Sequence, residues 1–177
     1  MESIIFSNTA EVKKAKAQIE KKLHIKIDIA GKKVTISGEG INEYEASIVL
    51  DAINLGFSAK KALLLLDPEI QFRRLNIKDF TKRKNLREVR ARVIGREGKT
   101  KRTIEDLTDS TIVVRDNTVG IIGYADSIEN TLTALKNLIR GSKESNVYRF
   151  LEDMNRFSRQ LKGTEILNKK DKTTSFK

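Results

Sequence analysis

Displaced by 85 residues, the sequence matches itself. Ile19 falls on Ile104, Glu20 on Glu105, Ile27 on Ile112, Val34 on Val119, Ile36 on Ile121, Gly38 on Gly123, Leu50 on Leu135 and Gly56 on Gly141. That is eight identities in 38 ungapped positions, with Ile29/Val114 and Ile53/Leu138 as conservative pairs. The matches keep one structural period, so the 177 residues are read as two copies of a single unit, and the repeat sets the domain count.

The second copy shows the unit most clearly. Thr103, Ile104 and Leu107 continue a helix that begins after Gly98. Thr111–Val114 is β-branched and reads as a strand, Asp116–Asn117 is turn chemistry, and Thr118–Ile122 is the partner strand. Ala125, Ile128, Leu132, Leu135, Leu138 and Ile139 then recur at helical spacing until Gly141. The first copy runs in parallel, with a helix marked by Val12, Ala15, Ile19 and Leu23. Its hairpin is Ile25–Ile29, Gly31–Lys33 and Val34–Ile36, and its closing helix carries Val49, Leu50 and Ile53. Ser58 reads as the N-cap of a connecting helix over 58–66, with Leu63–Leu66 buried between the units. The only proline, Pro68, ends that helix. A strand over Phe72–Ile77 opens the second unit. After Gly141 a last helix presents Val147, Phe150, Leu151, Met154 and Leu161. The expected division is 1–67, 68–162 and a mobile tail over 163–177.

Charge is concentrated. The chain has 35 Lys and Arg against 24 Asp and Glu, a net charge of +11. Residues 82–102 alone hold 10 basic and 2 acidic side chains, net +8. Such a surface is the electrostatic footprint of a nucleic-acid binder. There is no cysteine and one histidine, which excludes disulfides, thiolate metal sites, cysteine nucleophiles and multi-histidine metal centres. No apolar run approaches the ~20 residues of a membrane span, and the opening MESIIFSNTAEVKK lacks signal-peptide order. The expectation is a cytoplasmic protein with a polyanionic partner, no membrane, no cofactor, no metal and no catalytic constellation.

The charge surrounds Arg92–Val93–Ile94–Gly95–Arg96–Glu97–Gly98–Lys99. A tight turn between two helices needs residues free of Cβ clashes, and without side chains there a sugar–phosphate backbone can approach. The following helix N-terminus adds unpaired N–H groups and positive dipole, and Arg92, Arg96, Lys99, Lys101 and Arg102 add cations. Two residues between the glycines are too few for a nucleotide-binding P-loop, which needs four. Strand, short helix, Gly-x-x-Gly, helix, hairpin, helix is the order of a type I KH domain, whose loop clamps about four nucleotides of single strand. The fold expected is therefore α+β: two tandem type I KH domains, each a three-stranded antiparallel sheet packed by helices, plus a C-terminal helix. Bases would lie on an apolar floor that includes Ile94, Ile104, Ile112 and Val113, extending to Val114. Glu97 opposes phosphate and must point outward.

In the first copy Ala10 and Lys13 stand where the glycines do, so Ser7–Lys13 lacks the bare turn. Its Lys13, Lys14, Lys16, Lys21 and Lys22 are equally well read as a solvated face. His24, at a helix–strand junction, reads as structural. Glu105, Asp106 and Asp109 make a poor metal cage because Asp106 leaves the face shared by the other two. Tyr148, Phe150 and Phe157 read as helix packing before base stacking.

Beyond the tandem, GFSAKKALLLLD (56–67), RVIGREGKTKRTIEDLT (92–108), VGIIG (119–123), LIRG (138–141) and VYRFLE (147–152) resemble the archaeal partner-of-Nob (Dim-type) KH proteins of small-subunit ribosome assembly. The resemblance covers nearly the whole chain except the tail. It implies RNA binding near the 3′ end of precursor small-subunit rRNA and partnership with the endonuclease that matures that end. It also places the functional Gly-x-x-Gly in the second unit. The alternatives are a KH protein-interaction scaffold and a regulator of other single-stranded RNA.

Overall fold

The computed structural model describes the backbone of residues 2–174 and the side chains of residues 3–160. The first unit runs β1 (Glu2–Ile5), α1 (Ala10–Leu23), β2 (Lys26–Ala30), β3 (Lys33–Ser37) and α2 (Gly40–Leu55). A short α3 (Ala59–Ala62) and a 3-10 turn (Leu63–Leu66) follow. The second unit runs β4 (Ile70–Asn76), a 3-10 turn (Ile77–Phe80), α4 (Leu86–Ile94), the loop, α5 (Lys99–Thr108), β5 (Thr111–Arg115), β6 (Thr118–Tyr124) and α6 (Ala125–Arg140). A final helix, α7, spans Glu144–Thr174. Each unit holds one antiparallel three-stranded sheet, ordered β1-β3-β2 and β4-β6-β5.

The repeat is realised residue for residue. β2, β3 and α2 map onto β5, β6 and α6 at a shift of 85 at both ends, apart from two extra residues at the end of β6. Gly56 and Gly141 cap α2 and α6 in the same way, each donating its N–H to two carbonyls three and four residues earlier. His24 and Asp109, also 85 apart, hold the left-handed C-caps of α1 and α5, at φ 52° and 47°. The shared glutamate has a job as well. Glu20 Oε1 accepts from Ile27 N at 2.8 Å, and Glu105 Oε1 from Ile112 N at 2.6 Å. A carboxylate from the helix thus caps the outer edge of the hairpin in both halves, and a lysine four residues earlier pairs with it each time (Lys16–Glu20 3.7 Å, Lys101–Glu105 3.0 Å).

Two cores form. One gathers Val12, Ile19, Ile27, Val34, Leu50 and Phe57; the other gathers Val93, Ile104, Ile112, Ile121, Leu135 and Leu138. They meet across the β4-β6-β5 sheet, whose alternation points Ile112 and Ile121 to its own helices and Val113 and Ile122 to the first core. Phe57 and Phe72 stack edge to face at 5.9 Å across this seam. Gly120 makes room for it: a Cβ there would collide with Leu55 and come within 2.8 Å of Phe57.

Several sequence expectations need correction. β1 has no counterpart among them, because its four residues gain their partner only by pairing with β3. The connecting helix over 58–66 is α-helical only at Ala59–Ala62 before tightening into the 3-10 turn. Ser58 occupies the N-cap without making the cap bond; Glu11 Oε2 accepts from Ala59 N instead, at 2.7 Å. None of Leu63–Leu66 is fully buried, and Leu64 is 42% exposed. The opening strand of the second unit is Ile70–Asn76, since Ile77 already turns. The tail expected over 163–177 is helical backbone to Thr174, and residues 175–177 lie outside the described residues. Among the described residues, no helix is long and apolar enough to cross a membrane.

Candidate nucleic-acid interface

α4 starts at an Asn85 cap, whose Oδ1 accepts from Glu88 N at 3.3 Å, and buries Val89 and Val93. It stops because Gly95 leaves helical torsions, at φ 76° and ψ 172°, a region open essentially to glycine alone. A Cβ on Gly95 would collide with Thr100 Oγ1 and lie 2.6 Å from Thr100 N. Thr100 is itself buried, so it cannot yield. Gly98 is required for a different reason. Its φ of 77° and ψ of 12° are left-handed, and its N–H donates to Gly95 O at 3.2 Å. The space where its Cβ would stand is open, with the Arg102 guanidinium nearest at 3.9 Å. The first glycine thus packs the turn against α5, and the second leaves its outer side bare.

Glu97, between them, is also left-handed (φ 53°, ψ 25°), at a cost of about 1–2 kcal/mol for a residue with a Cβ. It is exposed and, among the described residues, has no hydrogen-bond or ion-pair partner. α5 opens at Gly98 with no side-chain cap, so its first N–H groups are not taken by a neighbouring side chain. Arg96, Lys99 and Arg102 surround this opening, with no acidic partner among the described residues. A bare turn, a helix N-terminus without a side-chain cap, of which only the Lys99 N–H is spent on Arg96 O, and three cations without an acidic partner form a site complementary to phosphate.

The other expected site residues divide. Ile94 is 36% exposed beside the loop and offers apolar surface. Ile104 and Ile112 are fully buried in the second core, and Val113 packs against the first core. Ile104 and Ile112 therefore offer no exposed side chain to bases, while Val113 is half-buried on the opposite face of its strand. Lys101 is half-buried and held by Glu105. Arg92, one turn before Gly95, reaches the end of α6: its Nη1 lies 3.2 Å from the point a Cβ on Gly141 would occupy. Glu105 is used by the hairpin edge, and Asp109 caps α5. Tyr148 and Phe150 pack on the second core, while Phe157 is 55% exposed.

The corresponding place in the first unit is built differently. β1 passes through Ser7–Thr9 straight into α1, with no helix equivalent to α4. Asn8 Oδ1 accepts from Ala10 N at 2.9 Å, which closes the turn with a side chain. Arg115, from the second unit, then covers it: Nη2 donates to Ser7 Oγ at 2.9 Å and Nη1 to Asn54 O at 2.6 Å. Of the five lysines, Lys14 pairs with Glu11, Lys16 with Glu20, and Lys22 donates to Leu66 O at 2.7 Å. Sequence reasoning missed Thr100 and Arg115; each acts through a contact that no local pattern announces.

Comparison with known proteins agrees with this geometry. A family model for the second KH domain of PNO1 proteins, described as a eukaryotic type KH-domain (KH-domain type I), matches residues 71–156. A KH domain-containing protein of Methanocaldococcus jannaschii is 34% identical over 156 residues, 84% of this chain and 67% of that protein. RNA-binding protein PNO1 of Oryzias latipes is 35% identical over 107 residues, 59% of this chain; the match spans 44% of that protein's length. The crystal structure of Dim2p from Pyrococcus horikoshii OT3 superposes with a TM-score of 0.76 at 31% identity, covering 86% of this chain and 98% of that one. A chain from the a/eIF2alpha-aDim2p-rRNA complex of the same organism superposes at 0.74 with 30% identity, covering 88% and 93%. The glycine turn in the second unit, the tandem sheets and these likenesses along most of its length agree: the chain belongs to the Dim-type, partner-of-Nob family of KH-domain proteins.

Proposed function

We propose that this protein is a non-catalytic assembly factor of the small ribosomal subunit, which grips single-stranded precursor rRNA near its 3′ end and assists maturation there by a partner endonuclease. Membership of the family makes it an RNA-binding KH protein of ribosome biogenesis. The observation that carries the finer reading is the bare turn Gly95–Gly98 in front of an uncapped helix, flanked by Arg96, Lys99 and Arg102. A ribose–phosphate strand of about four nucleotides lies against that turn, with Ile94 as the apolar edge that bases meet first. The structural neighbour whose complex contains rRNA supports the choice of RNA. The name PNO1 borne by several relatives supports a nuclease of the Nob type as partner.

The first unit is a KH domain that has lost its clamp and become a scaffold, so the chain is a tandem of KH domains closed by a C-terminal helix and working in the cytoplasm. Arg115 supports this reading, because it closes over Ser7 at the turn that stands in the clamp's place.

Replacing both Arg96 and Glu97 with Asp tests the clamp. Asp tolerates the left-handed torsions of position 97, so the fold is kept while a carboxylate replaces the cation at position 96 and the charge at 97 is retained. Affinity for single-stranded rRNA falls at least about tenfold, read by fluorescence anisotropy, with an unchanged circular dichroism spectrum. Unchanged affinity overturns the assignment. Capture of ribosomal precursors that survives nuclease digestion would favour the protein scaffold instead.

A further inference from the structure

A second concentration of positive charge lies beside the loop but outside it. The 3-10 turn that ends at Phe80, the segment 81–85 and the last turns of α6 converge there. Lys136 Nζ sits 5.3 Å from the Phe80 ring centre and Arg140 Cζ 6.0 Å, so two cations share one ring. A cleft of about 410 Å³ is lined by Phe80, Thr81, Lys82, Arg83 and Arg140. A neighbouring cleft of about 420 Å³ lies between Arg92 and the turn 141–145, which carries both Lys143 and Glu144. Arg83 Nη2 and Arg92 Nη1 come within 3.5 and 3.2 Å of the same point above Gly141, so they are no more than 6.7 Å apart, the sum of the two distances.

Six cations, Lys82, Arg83, Arg92, Lys136, Arg140 and Lys143, thus gather around two carboxylates, Glu88 and Glu144. Among the described residues only Arg83 has an acidic partner, Glu88 at 3.6 Å, and that pair is exposed. The bland account is that the cations complement the C-terminal dipole of α6. That dipole amounts to roughly half a unit charge, and two of the last carbonyls, on Asn137 and Leu138, already accept from Gly141 N and Ser142 N. Half a charge and two carboxylates do not balance six cations. Like charges held this close destabilise one another unless an anion completes the site.

We infer that this surface is a second phosphate-binding track, which takes the single strand as it leaves the Gly-x-x-Gly clamp. The inference rests on the clamp reading, because Arg92 stands one turn before Gly95 on α4 and joins the two regions. Continuity with the loop favours a nucleic-acid backbone over an acidic protein segment. The bound length then exceeds the four or so nucleotides that a KH loop holds by itself. Phe80 serves as the platform that holds Lys136 and Arg140 side by side.

Fluorescence anisotropy of the full chain, with single-stranded oligoribonucleotides of about four and about ten nucleotides matching the small-subunit rRNA 3′ end, decides the matter. One variant is Lys136→Ala with Arg140→Ala. A second, confined to exposed side chains, is Lys82→Ala, Arg83→Ala and Lys143→Ala. Each weakens the longer oligonucleotide at least about tenfold and flattens its log–log salt slope by about 0.7 for every phosphate that is no longer neutralised. Each leaves the tetranucleotide within about twofold of wild type. Longer-strand affinity and slope that match wild type in both variants overturn the inference. So does a patch whose loss abolishes binding of a polyaspartate peptide while RNA is unaffected, since that assigns it to a protein. The Arg96→Asp, Glu97→Asp variant separates the two readings. A tetranucleotide that ignores that variant defeats the clamp; a length gain that ignores the patch variants defeats the track.

Discussion

The two halves share a hairpin, a closing helix, left-handed caps and an edge-capping glutamate, yet they differ at one turn. In the second half the chain inserts α4 between its first strand and the next helix and returns through Gly95 and Gly98. In the first half the strand meets its helix after Ser7–Thr9, and Asn8 and Arg115 fill the place. What the fold needs was kept in both copies; the bare glycine turn of the proposed clamp stands in one. The comparison also shows where the unit tolerates change, because the helix–hairpin–helix module remains intact while the segment before it varies.

The sharpest way to break this comparison is at the turn. Gly95→Ala meets both a glycine-only torsion and the buried Thr100, and costs about 3–5 kcal/mol in urea unfolding. Gly98→Ala meets only the torsion and costs about 1–2 kcal/mol. Equal costs would mean that the first glycine is not packed against α5 as described.

The next largest effect concerns what the halves share. Glu105→Ala leaves the Ile112 N–H without its partner and removes the mate of Lys101, at a cost of about 1–3 kcal/mol. Glu20→Ala makes the same deletion in the first unit at lower cost, because Glu20 is 29% exposed against 17% for Glu105, and water replaces the bond more readily. A larger loss at Glu20, measured by the same unfolding curves, would sink the view of the glutamate as a common edge cap.

The smallest effect belongs to a device only the first half has. The Ala59 N–H, and after it Lys14, holds the Glu11 carboxyl below its ordinary value. A depressed carboxylate stabilises the fold above its unfolded pKa of about 4.3 and loses that contribution as pH falls through the lower folded value. Glu11→Gln keeps an oxygen for Ala59 but not the charge. The melting temperatures of variant and wild type should therefore differ near neutral pH and converge in acid. A gap that persists at about pH 2 would contradict the assignment.

Much of this fold is legible in the sequence. The shift of 85 reveals the hairpins and closing helices, because Ile27, Val34, Ile36 and Leu50 must face a core wherever their counterparts do. The Gly-x-x-Gly turn is legible because few residues survive those torsions. The faces of β5 are not. Alternation says that Ile112 and Val113 point to opposite sides, but it cannot say that the second side is covered by the first unit. β1 is too short to declare itself without β3. The Arg115 contact joins residues 108 positions apart, so nothing local announces it.

The proposed clamp puts single-stranded RNA on the turn of the second unit and not on its counterpart in the first. Backbone amide shifts recorded while rRNA 3′-end oligonucleotide is titrated into the full chain test it most directly. The largest changes are expected at Gly95–Lys99 and the first turn of α5, with Ser7–Lys13 unmoved. Changes concentrated at Ser7–Lys13, with Gly95–Lys99 silent, would contradict it.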